Sequence, residues 1–389
     1  MSVSRTYRQK LSVAFDFPVV FTRDAFRASN PALHKAMTRL RERRVHRAAV
    51  FIDAGVARGR PNLARDVARY FRAHAKSIRL VATPQIVPGG ESAKNDLSRV
   101  AAIMRRLLQW RLCRHSFVIV IGGGAVLDTV GFAASLVHRG LRLIRFPTTV
   151  LAQGDSGVGV KTAVNFGAGK NLVGTFAPPF AVINDEAFLD TLSDADWRGG
   201  VAEAFKVSII KDAAFFRWLC ANAARLRRRD PAAMRRLIRR SAELHLDHIR
   251  TSGDPFEFGR ARPLDFGHWS AHKLESMSRY RVGHGQAVAI GLALDACYAA
   301  RKGWLTERDC TAIHRGLGEC GFTLWHSLLE RKTADGKLEV LAGLRDFQEH
   351  LGGELYITFP KGIGRKFEVQ EISAALVAAC VRELKRAAT

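Results

Sequence analysis

Paired cysteines, long apolar runs and acidic charge are what this sequence is short of. Its six cysteines (Cys113, Cys220, Cys297, Cys310, Cys320, Cys380) are scattered, and no two form a Cys-x-x-C pair. That spacing argues against a disulfide scaffold or a cysteine-based zinc site and favours thiols in a reducing compartment. No run approaches the length of a membrane span. The opening "MSVSRTYRQKLSVAFDFPVVF" is basic but has no unbroken apolar core or small-residue cleavage site. A cytoplasmic protein with no membrane span is the expectation. Acidic residues number 36 against 61 lysines and arginines, a net charge of +25. Arginine clusters stand in "RLRERRVHR" (Arg39 to Arg47) and "RLRRRDPAAMRRLIRR" (Arg225 to Arg240). Such clusters can mark a nucleic-acid footprint. Both, however, carry Leu, Ile and Ala at helical spacing and lack the interleaved aromatics that stack on bases. Solvated helix faces are the simpler account, so nucleic acid is not the expected partner. An anionic small molecule would gain from the field.

What is present is a chain of 389 residues, 47% hydrophobic, long enough for two domains with substantial cores. Its first half alternates β-rich runs with helical patterns. Strands are expected at Asp16–Thr22, Ala48–Ala54, Ser77–Thr83, Phe117–Gly124, Leu141–Thr149 and Ala181–Asp185, and helices at Asn62–Ala75 and Ser92–Leu112. This alternation implies a parallel sheet flanked by helices. From about Asp194 to Leu317 the pattern is almost continuous helix, and a last helix–strand–helix has its strand at Glu354–Phe359. The expected architecture is a Rossmann-like α/β domain over residues 1–185 followed by a mostly helical domain over 186–389. A cleft between the two is the default place for a site.

Several motifs carry chemistry. "IGGGAVLDTVGFAA" (Ile121 to Ala134) puts three glycines at the end of a buried strand where a helix begins, a place where backbone N–H groups can hold a pyrophosphate. Leu127 stands where the third glycine of the Rossmann fingerprint belongs, so a plain tight turn competes with the nucleotide reading. "QGDSGVGVKT" (Gln153 to Thr162) ends like a P-loop but fails its test, with Val160 and Asp155 at the two glycine positions. "PGGESAKND" (Pro88 to Asp96) offers another loop, with Glu91 and Lys94 near a helix start. In "RPLDFGHWSAHKLES" (Arg262 to Ser276), His268 and His272 are four apart and share a helical face. His284 opens the next helix, and Glu203 and Lys206 share a face in "GGVAEAFK". Three histidines with nearby carboxylates suggest a metal, and spacing alone does not say which of them coordinate.

The ordered series "GGGAVLD", "RGLRLIRFPTTVLAQGDSGVGVKT", "GAGKNLVG", "VAEAFK", "DFGHWSAH" and "GHGQAVAIG" resembles the dehydroquinate synthase-like sugar phosphate cyclases, over about residues 50 to 300. The resemblance implies NAD, a divalent metal (zinc or cobalt) and a homodimer. By motif, Gly122, Gly123, Gly124 and Asp128 would bind NAD, assisted by Glu91, Lys94, Thr148 and Thr149, with Asp53 at the adenosine end. Glu203, His268 and His284 would hold the metal, and His272 would contact substrate or move a proton. Asp155, Lys161, Lys170, Asn171 and Lys206 would surround the sugar and its phosphate, with Arg139 reaching the phosphate across the dimer.

The sequence departs from the family pattern where the substrate carboxylate is read. Dehydroquinate synthases proper carry Arg-x-x-Leu-Asn before Gly-His. Here "RPLDFGH" moves Arg262 one place nearer and replaces the asparagine with Asp265. No lysine lies between Lys211 and Lys273, where those enzymes use one, and His245 is the nearest occupant. Their C-terminal active-site lysine has no counterpart in "QEHLGGELYITF". The "RP" pair resembles cyclases that take sedoheptulose 7-phosphate and make valiolone-type products. The expected activity is therefore phosphate elimination and intramolecular aldol closure of a seven-carbon ketose phosphate. Sedoheptulose 7-phosphate is the favoured substrate over 3-deoxy-arabino-heptulosonate 7-phosphate, and a non-catalytic phosphate- or nucleic-acid-binding protein is the alternative of a different class.

Overall fold

Runs of Val, Ile and Phe with no polar alternation belong in a sheet covered on both faces, and that is where they lie. The computed structural model describes residues 6–167, 169–252, 254, 256, 264–350 and 354–388. Its strands are β1 (Val19–Thr22), β2 (His46–Asp53), β3 (Ile78–Leu80), β4 (Gln85–Val87), β5 (Phe117–Gly122), β6 (Arg142–Pro147), β7 (Lys161–Phe166), β8 (Gly169–Phe176), β9 (Ala181–Asp185), β10 (Ile357–Pro360) and β11 (Lys366–Val369). A parallel sheet runs β1-β9-β6-β5-β2-β3, with β4 continuing the β3 edge of β2.

The helices are α1 (Ala32–Thr38), α2 (Ala54–Gly59), α3 (Leu63–Ala73), α4 (Leu97–Gln109), α5 (Gly124–Leu136), α6 (Asp194–Lys211), α7 (Ala213–Arg227), α8 (Pro231–Thr251), α9 (His268–Met277), α10 (His284–Arg301), α11 (Glu307–Glu319), α12 (Ala342–His350) and α13 (Ala374–Ala388). Alternate residues of β2 and β5 face opposite layers. Val50, Ile52, Ile119 and Ile121 pack with α1 and α3, whereas Phe51, Val118 and Val120 pack with α4 and α5. The helices from α6 onward share a separate, larger core.

Several expected boundaries move. The first strand begins at Val19 instead of Asp16, and the third shrinks to Ile78–Leu80. The helix expected over Ser92–Leu112 is a 3-10 turn at Glu91–Lys94 followed by α4, which Asp96 caps by accepting from Ser98 N. The expected continuous helix is cut into segments. Ser193, Asp212, Asp230 and Thr306 each cap a new start with a side-chain oxygen, and Pro231 fills the first position of α8. The antiparallel hairpin β7–β8 was not expected at all. Its glycines and lysines hide the period-two pattern, and its exposed alternation (Phe166, Leu172, Phe176) faces away from the core. The strand expected at Glu354–Phe359 sits at Ile357–Pro360, as β10, and pairs with β11. No described helix is long and apolar enough to cross a membrane.

Candidate functional site

The C-terminal ends of β2, β5 and β6 open onto a cleft of about 1110 Å³ whose far wall is made by α6, α8, α9 and α10. Ligands of parallel α/β sheets bind at this edge. On the sheet side the cleft is lined by Asp53, Glu91, Lys94, Gly123, Gly124, Asp128, Thr148 and Thr149. Gly122 lies just beneath, at the end of β5, where an added Cβ would stand 2.9 Å from Val126 Cβ. Gly123 is the N-cap of α5 and offers no side-chain cap, so the first N–H groups of the helix are open to an anion. Asp53 caps α2 by accepting from Gly55 N at 2.6 Å, and it leaves no room opposite: a Cβ on Gly89 would fall 2.3 Å from its Oδ1. Lys94 donates to Asp128 Oδ2 at 2.6 Å and also to Asn171 Oδ1. Burial pushes the Asp128 carboxyl up from its ordinary value, and Lys94 pulls it back only in part. A bare helix N-terminus and glycine cradles fit a dinucleotide.

The helical wall is made of charge. Glu203 Oε1 lies 3.1 Å from His284 Nε2 and 3.4 Å from His268 Nε2, and the ligating atoms of the three residues lie within 4.8 Å of one another. Two imidazoles and a carboxylate are a donor set for zinc or cobalt, with positions left for substrate. Backbone approach makes the set possible. A Cβ on Gly285 of α10 would lie 2.3 Å from Gly199 Cα of α6, so only glycines let the helix bearing His284 touch the helix bearing Glu203.

Burial opposes charge on Glu203, but Lys206 and His268 overcome it and hold the carboxyl well below its usual range. Burial likewise opposes the imidazolium of His284, yet Glu275 and Glu203 raise it to about 9. A metal would replace that proton. His272, on the same face as His268, lines the cleft with its ring 5.2 Å from that of His268. Burial, and then the charges of His268 and His284, keep it neutral well below the ordinary histidine range.

Between the two walls, Lys206 Nζ lies 2.5 Å from Glu203 Oε2 and 3.3 Å from Asp155 Oδ2. Asp155 Oδ1 in turn meets His245 Nδ1 at 2.9 Å. Burial works against ionisation of Asp155, but Lys206 and His245 bring its pKa down to about 2. Lys161 opens β7 and lines the cleft. Lys170 reaches Glu275 Oε1 at 3.0 Å and Glu91 Oε1 at 3.7 Å. Asn171 has a left-handed φ of 57°, secured by its N–H donating to Asn165 Oδ1 at 2.9 Å. Arg139 is exposed and does not line the cleft of its own chain. Asp265 lines the cleft near Lys206, whose ammonium it helps to stabilise, whereas Arg262 lies outside the described residues.

Residues 84–199 match the family model for 3-dehydroquinate synthase, N-terminal, and residues 200–342 match that for 3-dehydroquinate synthase, C-terminal. The chain belongs to the 3-dehydroquinate synthase family. A relative named 3-dehydroquinate synthase from Paracoccus denitrificans (strain Pd 1222) is 36% identical over 294 residues, spanning 75% of this chain and 78% of that protein. Among solved structures, 2-epi-5-epi-valiolone synthase from Streptomyces hygroscopicus subsp. jinggangensis 5008, with NAD+ and Zn2+ bound, superposes with a TM-score of 0.86 at 28% identity, covering 98% of this chain and 100% of that one. A 2-deoxy-scyllo-inosose synthase with carbaglucose-6-phosphate, NAD+ and Co2+ shares the fold at 22% identity, with a TM-score of 0.75 and coverage of 94% and 96%.

Within this family fold, sequence reasoning passed over two buried carboxylates. Glu275 bridges His284 and Lys170, and its place seven residues after His268 on one helical face was a signal available in the sequence. Asp295 accepts from Gly267 N at 3.1 Å and Trp269 Nε1 at 2.9 Å, holding the backbone before His268 and the indole after it. No local pattern announces Asp295, because its partners lie 28 and 26 residues away.

Proposed function

We propose that the chain is a sugar phosphate cyclase acting on sedoheptulose 7-phosphate, with residues 1–185 serving NAD and 186–389 serving metal and substrate. The reaction eliminates phosphate and closes the carbon ring by an intramolecular aldol step, with no net redox change. When bound, NAD supplies a transient hydride acceptor and zinc or cobalt supplies Lewis acidity at the substrate oxygens. Glu203, His268 and His284 hold the metal. Gly122, Gly123, Gly124 and Asp128 hold the dinucleotide, with Asp53, Glu91, Lys94, Thr148 and Thr149 around it. Lys161, Lys170, Asn171 and Lys206 bind and orient the sugar phosphate, and Asp155 keeps Lys206 protonated beside it. His272, held neutral at its nitrogens, accepts a proton and later returns it. Arg139, exposed on its own chain, meets the phosphate of the partner protomer in a homodimer.

The observation that carries the substrate choice is Asp265 on the cleft wall beside Lys206. A substrate carboxylate there would face a like charge. The neighbouring wall residue His248 is held neutral by burial and then by the charges of Lys211 and His245, down to about 4, and supplies no cation in exchange. A polyol without a carboxylate meets no such penalty. The curated relatives' name, 3-dehydroquinate synthase, favours the second reading, in which 3-deoxy-arabino-heptulosonate 7-phosphate is the substrate. Phosphate release is measured with each sugar separately, in NAD and cobalt. Release from sedoheptulose 7-phosphate is the expected result. Release from the heptulosonate alone establishes the second reading, and release from neither removes the cyclase proposal.

A further inference from the structure

Two sets of three potential ligands share His284: Glu203–His268–His284 and His272–Glu275–His284. The hydrogen bonds separate them. In Glu275 both oxygens are engaged, Oε2 with His284 Nδ1 at 3.1 Å and Oε1 with Lys170 Nζ at 3.0 Å. In Glu203, Lys206 takes Oε2, whereas Oε1 faces the Nε2 atoms of both histidines. Glu275 accepts from His284 Nδ1–H, so the proton a metal would displace is the one on Nε2, the nitrogen turned toward Glu203 and His268. We infer that Glu275 is a positioning residue of the metal centre: it fixes His284 as an Nε2 ligand and ties that ligand to Lys170 through a single carboxylate. Glu275 is only 4% exposed, so its charge depends on these two partners. The same side chain thus links the metal set to Glu91 on the dinucleotide wall, through Lys170. This rests on the metal reading given above, but not on the identity of the sugar.

The test is Co2+ binding by the full-length protein, stripped of metal and titrated against a competing chelator, with the visible cobalt spectrum recorded and no turnover required. Glu275→Gln keeps shape but presents N–H where one acceptor stood. It is expected to weaken Co2+ by about 10–100-fold, the usual cost of losing an outer partner of a metal-bound histidine, and to change the cobalt spectrum while the circular dichroism stays the same. Lys170→Met, which touches only the far oxygen, should cost less. His268→Gln should abolish binding and His272→Gln should retain it. An unchanged affinity and spectrum in Glu275→Gln overturns the inference. So does the reverse histidine pattern, which would make Glu275 a direct ligand. Failure of the parent protein to bind Co2+ at all sinks the metal reading itself, and this inference with it.

Discussion

The two walls of the cleft are built on opposite principles. The dinucleotide wall works by omission: glycines at 89, 122 and 123 clear space and leave N–H groups bare, with a partly buried ion pair between Lys94 and Asp128. The metal wall works by accumulation. From Lys170 through Glu275, His284, Glu203 and Lys206 to Asp155, opposite charges alternate within 3.3 Å of one another at every step. A buried charge removed from such a chain strands its neighbours, whereas an atom added to a bare turn mostly blocks the ligand.

The sharpest way to break the metal wall is Glu203→Gln. It leaves Lys206, His268 and His284 together without their common anion. Loss of a buried partner of this kind costs roughly 3–5 kcal/mol, to be read as a lowered denaturant midpoint together with lost Co2+ binding and unaltered NADH affinity. Gly285→Ala comes next. The new methyl collides with the α6 backbone at Gly199, and overpacking of this sort costs about 1–3 kcal/mol. Metal affinity should fall with it, because α6 and α10 carry separate ligands.

Acid attacks the same wall. With the Asp155 pKa lowered from 3.8 to about 2, its stabilisation is complete above pH 3.8 and lost as pH falls through about 2. The contribution is roughly 2 kcal/mol, and Asp155→Asn should flatten the pH dependence of the unfolding free energy in that window. The smallest effect on stability is expected on the other wall. At Gly123 an added Cβ meets only Thr149 Cγ2, at 3.4 Å. Gly123→Ala should therefore change stability by less than about 0.5 kcal/mol, while NADH fluorescence titration reports weaker binding and Co2+ affinity stays put. Equal losses of both ligands in Gly123→Ala would break the contrast between the walls.

How much of this was legible in the sequence follows the same division. The strands β2, β5, β6 and β9 were readable because continuous apolar runs bounded by turns have few other destinations. The hairpin β7–β8 was not, since half of its residues face solvent and its pattern is broken by glycine. The residues Glu203, His268, His272 and His284 stood out as chemistry-bearing, and motif order linked them to a family. Helical spacing alone paired His268 with His272, and the structure instead puts His268 and His284 on one carboxylate.

By itself, then, the sequence determined the α/β-then-helical order, the glycine turn after β5 and the inventory of ionisable groups in the site. Those depend on local periodicity and on residue type, which any reader of the chain can see. Only the tertiary structure decided which nitrogen of His284 faces Glu203, that Glu275 stands behind it, and that Asp265 lies near Lys206. Each of these depends on separate segments packing against one another, with glycine contacts letting α6 meet α10. A buried charge takes its role from what surrounds it, and the surroundings exist only once the chain has closed.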